Sequence, residues 1–479
     1  MDHTLLKINN IKSKLITYDR DVIGFLANCL RRRPKNFWHS TAYKKKKWDG
    51  WNYFFNKKTG EFQTGLLPEV RAALKHLKVN YNISDQRKFV NWKYDNIGQN
   101  FLDPWLPPSY DPIELHDYQP DFVNQAIKYN RGIIQAPTGA GKTFIMISLL
   151  KCLPPKTPVL FMTKNAGLTH QNWEDMKLWG VPDLGRWYGI YKEPNYVMCC
   201  TVHSKTLESI SKLIPKFKVL VVDEVHECIS KVPIAAYNKM KNASVRLGFS
   251  ATPFKPNKKK VDEVHKWNTK GFFGPIFKTK TTSDGRLKTK DLQDRGILSK
   301  SKGTFYIIKE PNLSHEPYQD AIKLGIEENF YFHEVVQRLE RKLKGRTLIV
   351  VERRNQGEYL KQLIPHAHWV HGDIALKKRK PVLEDLKNKP ESTAIFMRHI
   401  ITAGINVKVH NLINASCGEG SDRTIQFMGR GLRLAEDKDI LEYYDFYFKN
   451  NPYLMDHSEW RMEVLEKEGH EVKIKEIDF

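Results

Sequence analysis

The chain lacks the features of a membrane, secreted or zinc-stabilised protein. Its 479 residues include six cysteines, at positions 29, 152, 199, 200, 228 and 417, and no CxxC pair. That spacing argues against a zinc ribbon or a disulfide framework and for a reducing, cytoplasmic compartment. No apolar run approaches the roughly 18–20 residues of a membrane span, and the opening MDHTLLKINNIKSKL has no signal-peptide core. Short-period repeats and low-complexity tracts are missing as well. Acidic residues are comparatively scarce: 54 Asp+Glu against 78 Lys+Arg leave a formal charge of +24. Hydrophobic residues, at 41%, are too many for a disordered chain. The length suggests about three domains of roughly 150 residues each.

The excess charge is concentrated. Residues 1–100 hold 20 basic and 8 acidic side chains, and residues 255–302 hold 14 and 5, so these two stretches carry +21 of the +24. Such clustering fits a polyanionic partner, above all a nucleic-acid backbone; no membrane partner is expected, since no apolar run is long enough to span one. In RRRPKNFWHSTAYKKKKWDGWNYFF, Phe37, Trp38, Tyr43, Trp48, Trp51 and Tyr53 alternate with cations. Aromatic faces stack on bases while Lys and Arg take phosphates, which makes Trp48 and Trp51 candidate contacts. The competing role for about half of these rings is the core of a small domain.

A proline-rich stretch, LDPWLPPSYDP (102–112), reads as a linker. Beyond it, apolar runs that end in polar or glycine residues alternate with helical patterns. GIIQAP (132–137), PVLFMT (158–163), KVLVVDE (218–224) and VRLGFSAT (245–252) form one set. RTLIVVE (346–352), STAIFM (392–397), HNLINAS (410–416) and EYYDFYF (442–448) form a second. This is the rhythm of parallel α/β sheets. Between the sets, Phe332, Val335, Val336, Leu339 and Leu343 recur at helical spacing, with Gly345 expected as the C-cap. The expected division is a small basic α+β domain over 1–104 and two α/β domains over 105–300 and 301–479.

Residues 136–143, APTGAGKT, follow a strand-like run and open a helical one, the setting a phosphate loop needs. Gly139 and Gly141 let the backbone N–H groups of the loop Thr138–Gly141 turn toward phosphate oxygens, and the helix N-terminus adds its positive end. Lys142 can reach the β- and γ-phosphates, and the Thr143 hydroxyl can hold Mg²⁺. KVLVVDEVH delivers two acids to a strand end: Asp223 for Mg²⁺ and Glu224 for the attacking water.

Taken together, APTGAGKT, DEVH (223–226), SAT (250–252) and QFMGRGLR (426–433) resemble motifs I, II, III and VI of the superfamily 2 helicases and translocases, in that order. Tyr118-Gln119 resembles the adenine-contacting segment, MTKNAGLTHQNW (162–173) motif Ia, TVHS (201–204) motif Ib, LIVVE (348–352) motif IV and TAGIN (402–406) motif V. The resemblance covers about residues 113–450. It implies two tandem RecA-like P-loop NTPase domains that take ATP and Mg²⁺. Gln119, Thr138, Gly139, Ala140, Gly141, Lys142, Thr143 and Gly404 would contact the nucleotide. Arg430 and Arg433 would act as arginine fingers, and Gln426 would reach the attacking water. Thr163, Thr201, Ser204 and Thr402 are the implied nucleic-acid contacts, with Ser250 and Thr252 coupling hydrolysis to movement. Asn406 departs from the aspartate common in motif V. His226 is either a coupling residue or a packed neutral imidazole, and Arg423 either a phosphate contact or a surface charge.

FFGPIFKTKTTSDGRLKTKDLQDRGILS (272–299), HGD (371–373) with Lys378 and Arg379, and KKWDGWNYFFNKKTGEFQTGLL (46–67) resemble the phage UvsW-type branch-migration and recombination-repair helicases. That likeness implies a 3′-to-5′ DNA helicase acting on forks and Holliday junctions, in the host cytoplasm for a phage protein. The competing classes are an RNA helicase, a duplex DNA translocase that separates no strands, and a nucleic-acid-binding protein with a relic ATPase fold. Intact Lys142, Asp223, Glu224, Arg430 and Arg433 argue against the last.

Overall fold

The computed structural model describes residues 4–108, 110–254, 256–257, 260–374, 376–402, 409–417 and 440–479. Contacts divide the chain into two compact units, 1–136 with 141–286 and 137–140 with 287–479.

The first unit begins with a four-stranded sheet. Its strands are β1 (Leu5–Ile8), β2 (Lys12–Ile16), β3 (Glu61–Gln63) and β4 (Asn82–Asp85), in the order β3-β2-β1-β4. Alternation sets one face inward: Leu6 and Ile8 of β1 and Leu15 of β2 are buried. Helix α1 (Arg20–Cys29), capped by the Asp19 carboxylate on the N–H groups of Asp21 and Val22, and helix α2 (Leu67–His76) supply Val22, Leu26, Val70 and Leu74 to the same core. The KKTG segment forms a turn. Gly60 has φ 71°, and a Cβ there would lie 2.1 Å from the Leu15 carbonyl oxygen.

Seven strands follow: β5 (Arg131–Gln135), β6 (Val159–Thr163), β7 (Leu184–Tyr188), β8 (Tyr191–Glu193), β9 (Val197–Thr201), β10 (Val219–Asp223) and β11 (Val245–Ser250). Their order is β8-β7-β9-β6-β10-β11-β5, parallel except for β8. The central strands are buried on both faces, which is why they read as unbroken apolar runs. Helices α3 (Tyr118–Tyr129), α4 (Lys142–Lys151), α5 (Ala166–Leu178), α6 (Ser204–Ser209), α7 (Lys231–Lys239) and α8 (Glu263–Phe273) complete this part.

The small domain does not close its core alone. Trp267 of α8 belongs to the N-terminal cluster, and the Arg32 guanidinium lies 3.8 Å over its ring. A Cβ on Gly65 would sit 2.0 Å from the Lys270 carbonyl oxygen, so only glycine permits this approach. Lys270 pairs with Glu69, and buried Arg131 donates to the carbonyls of Phe272, at 2.8 Å, and Asn10. Part of the second basic stretch is thus a docking helix rather than a free cationic surface.

The second unit holds a fully parallel seven-stranded sheet. Its strands are β12 (Lys300–Ile308), β13 (Thr347–Val351), β14 (His368–Val370), β15 (Thr393–Met397), β16 (Asn411–Asn414), β17 (Ile440–Phe448) and β18 (Glu471–Lys475), ordered β14-β15-β13-β16-β17-β12-β18. Helix α9 (Phe330–Lys342) buries Phe332, Val335, Val336 and Leu339 as their spacing predicts. Its end differs from expectation. Leu343 is the extended C-cap residue, and Gly345, at φ 85°, occupies the following turn, where a Cβ would meet the His410 ring at 2.7 Å. Helices α10 (Arg354–Leu363) and α11 (Pro452–Lys467) flank the sheet. Residues 451–479, silent in the sequence, supply α11 and edge strand β18. Arg461 of α11 pairs with Asp445 at 2.9 Å and donates to the Cys417 carbonyl at 2.8 Å, both fully buried.

Candidate nucleotide site

The C-terminal edge of the first sheet gathers the predicted chemistry. Between β5 and α4 the chain turns at Gly139 (φ 88°) and Gly141 (φ 72°), conformations that favour glycine. Gly141 is the N-cap of α4, so the orphan N–H groups of the helix face the loop. The Lys142 ammonium donates to the Ala136 carbonyl at 3.2 Å. Gln119 is buried on α3; its Oε1 accepts from the His116 N–H at 2.9 Å, and its amide fills the space a Cβ on Gly141 would need. Thr143 is the second residue of α4.

Asp223 ends β10 and is 5% exposed. Burial, then the adjacent Glu224 carboxylate, pushes its carboxyl up to about 6, against the favourable fields of Lys142 and of Asn172, whose amide donates to it at 3.2 Å. Glu224 sits in the left-handed region (φ 48°), and its N–H donates to Asp223 Oδ1 at 2.9 Å. That turn bends the chain so that both carboxylates occupy one edge. Ser250, at the end of β11, donates to Glu224 Oε2 at 3.3 Å and accepts from the Thr252 N–H at 3.0 Å. Its Oγ is 2.8 Å from His226 Nδ1. A hydroxyl has one donor and two acceptor positions, so the bond to Glu224 goes together with a proton on His226 Nδ1. His226 is therefore both packed and bridging: it is 1% exposed and joins DEVH to SAT. Its carbonyl meets His265 Nε2 of α8 at 2.9 Å.

Two residues here escaped the sequence reading. Asn172 lies within THQNW, and only its contact with Asp223 reveals it. His265 lies in a basic stretch that charge alone had marked.

The nucleic-acid candidates divide. Thr163 is fully buried, its hydroxyl held by the Asn165 carbonyl at 3.1 Å and by Thr169. Thr201 is 6% exposed, with its hydroxyl 3.1 Å from that of Thr206. Both hydroxyls support the turns after their strands. Ser204 opens α6 and is exposed. Trp48 and Trp51 are half-buried. The indole N–H of Trp48 donates to the Trp51 carbonyl at 2.8 Å, and the Trp51 ring carries the guanidinium groups of Arg31 and Arg33 at 4.3 and 4.2 Å. Trp51 is thus engaged within its own domain; the exposed rings of this segment among the described residues are Trp38 and Tyr53. Gly404, Asn406, Arg423, Gln426, Arg430, Arg433 and the side chain of Thr402 lie outside the described residues.

The site fits a nucleoside triphosphate with a divalent cation. It has a glycine-shaped loop at a helix N-terminus, an ammonium group, and two adjacent carboxylates whose mutual repulsion a cation would relieve.

Comparison with known proteins agrees. Residues 112–255 match the family "Type III restriction enzyme, res subunit", and residues 331–435 match the "Helicase conserved C-terminal domain". A DNA 3′-5′ translocase XPB2 of Sulfurisphaera tokodaii is 25% identical over 399 residues, covering 75% of this chain and 88% of the relative. The ATP-dependent DNA helicase uvsW of Enterobacteria phage T4 is 23% identical over 383 residues, covering 73% of each. A solved fragment of a putative HsdR subunit of a type I restriction enzyme from Vibrio vulnificus superposes with a TM-score of 0.56 at 17% identity, over 80% of this chain and 71% of that one. The two sheets are RecA-like domains, and the chain belongs to the superfamily 2 helicases, enzymes driven by ATP. Within that superfamily it resembles the UvsW type.

Proposed function

We propose that the chain is a 3′-to-5′ DNA helicase acting on branched DNA, in fork regression, junction branch migration or recombination repair. The observation that carries the reading is the bonded chain Asp223–Glu224–Ser250–His226 at the edge that holds the phosphate loop. Thr138–Thr143 and Gln119 bind the nucleotide, and Lys142 holds its terminal phosphates. Thr143 and Asp223 hold Mg²⁺, which supplies charge neutralisation at the phosphates when bound. Glu224 orients the attacking water. Arg430 and Arg433 stabilise the developing charge, with Gln426 beside them and Gly404 at the nucleotide. Ser250 reports the state of Glu224 to the strand-contacting segments, with Thr252 behind it.

DNA as the track and 3′-to-5′ movement rest on the names of the translocase and helicase relatives. The basic N-terminal domain supports a branched substrate. A regression assay on a model fork, with partial duplexes bearing 3′ or 5′ tails, tests the proposal. Regression with preference for a 3′ loading tail is expected. Unwinding confined to 5′-tailed substrates would overturn the polarity, and no action on the fork would overturn the branched specificity.

A further inference from the structure

The strongest unexplained feature lies at the opposite edge of the first sheet. A groove of about 1050 Å³ runs between the small domain and the motor, within the first unit. Five lysines line it: Lys12 and Lys88 from the small domain, and Lys156, Lys218 and Lys241 from the motor. Six of the other lining residues are Asn or Gln, and none is Asp or Glu.

The topology fixes where these cations stand. Lys156, Lys218 and Lys241 precede β6, β10 and β11, and these parallel strands start level, with Val219 opposite both Val159 and Val245. Asp223 and Ser250 end the same strands. Five residues at about 3.3 Å each separate the two edges by roughly 16 Å. All five lysines are exposed. Lys12 pairs with Glu61 at 3.2 Å, whereas Lys88, Lys156, Lys218 and Lys241 have no ion-pair partner among the described residues.

We propose that this groove is a second DNA site, which holds the phosphate backbone of a duplex arm away from the strand being translocated. The inference rests on the DNA reading above. Unpaired lysines supply point charges for phosphates, and amides add hydrogen bonds to phosphate oxygens. Phe89 is the one aromatic side chain in the lining, so the groove has no series of stacking platforms of the kind that captures unpaired bases. Because both domains build the groove, an arm held there is fixed relative to the motor that pulls on its partner strand.

The test is a full-length triple variant, Lys156→Glu/Lys218→Glu/Lys241→Glu, with Lys156→Gln/Lys218→Gln/Lys241→Gln as a gentler companion. Binding to a labelled fork with two duplex arms and to a single-stranded oligonucleotide is measured across a KCl series, alongside ATPase. Fork affinity should fall roughly tenfold or more, and the salt dependence of fork binding should flatten by about 2–3 in log–log slope. Single-strand binding and single-strand-stimulated ATPase should hold. On the unaltered protein, formaldehyde should crosslink a duplex arm to peptides containing these lysines. Unchanged fork affinity and slope in folded, ATPase-active variants would overturn the proposal. So would weakening confined to duplex RNA of equal length. If DNA of any form fails to stimulate the unaltered enzyme, the underlying reading falls instead, and the two failures are told apart.

Discussion

The two edges of the first motor sheet are built from the same strands by opposite rules. At the C-terminal edge, polar groups are buried and bonded: Asp223 by Glu224 and Asn172, Ser250 by three partners. At the N-terminal edge, Lys156, Lys218 and Lys241 stand exposed. Hydrolysis needs charge fixed before the reaction, in a medium that screens little. A grip on a sliding polyanion needs mobile charges that exchange phosphates without a fixed register. One edge is organised for catalysis and the other for holding.

That contrast can be broken at several points. The largest effect should come from Lys142→Ala, which should cut kcat by about 10³-fold or more while fork affinity changes little; parallel loss of both would merge the two edges into one function. Glu224→Gln should lower turnover by roughly 10²–10⁴-fold with nucleotide still bound, measured by single-turnover kinetics and nucleotide titration. Equal loss of nucleotide affinity would remove Glu224 from its water-orienting role.

Asp223→Asn should separate stability from activity. The Asp223 carboxyl is raised to about 6 from its usual 3.8. Its ionisation therefore opposes folding by an amount that grows as pH rises from about 4 to about 6 and is full above 6; the opposition vanishes only well below 4, where both states are protonated. The variant should be more stable than the parent at pH 7, with the advantage shrinking as pH falls from about 6 and disappearing well below 4, in denaturant titrations of the ATP-free protein. A destabilised variant at pH 7 would contradict the buried-carboxylate account. A smaller effect is expected from Gly65→Ala, whose Cβ would press on the Lys270 carbonyl. It should cost about 1–3 kcal/mol and loosen the small domain on α8, seen as faster proteolysis near residues 86–110. Unchanged cleavage would show that Trp267 and Lys270 suffice.

The catalytic edge was legible in the sequence because its chemistry is local. APTGAGKT and DEVH each put several functional residues in one short segment, flanked by strand and helix patterns that fix their direction. The holding edge was hidden because it is not local. Lys156, Lys218 and Lys241 fall within the part of the chain whose net charge is nearly zero. Only the parallel register collects them, since each sits just before a strand while acids such as Asp223 sit just after one. Summed charge over a segment averages away what the fold sorts. The partners of Thr163 and Thr201 were hidden for the converse reason: the motifs mark them at strand ends, and a strand-end hydroxyl is first in reach of its own turn. For Trp51, sequence shows aromatics and cations side by side, and only the fold shows that Arg31 and Arg33 lie over the ring.

The central claim is that a nucleotide-driven motor here works on branched DNA. Steady-state ATPase with single-stranded DNA, duplex DNA, a four-way junction and structured RNA, with Glu224→Gln as the inactive control, tests it most directly. The account predicts the strongest stimulation by the junction. Strongest stimulation by RNA, or hydrolysis indifferent to every nucleic acid, would contradict it.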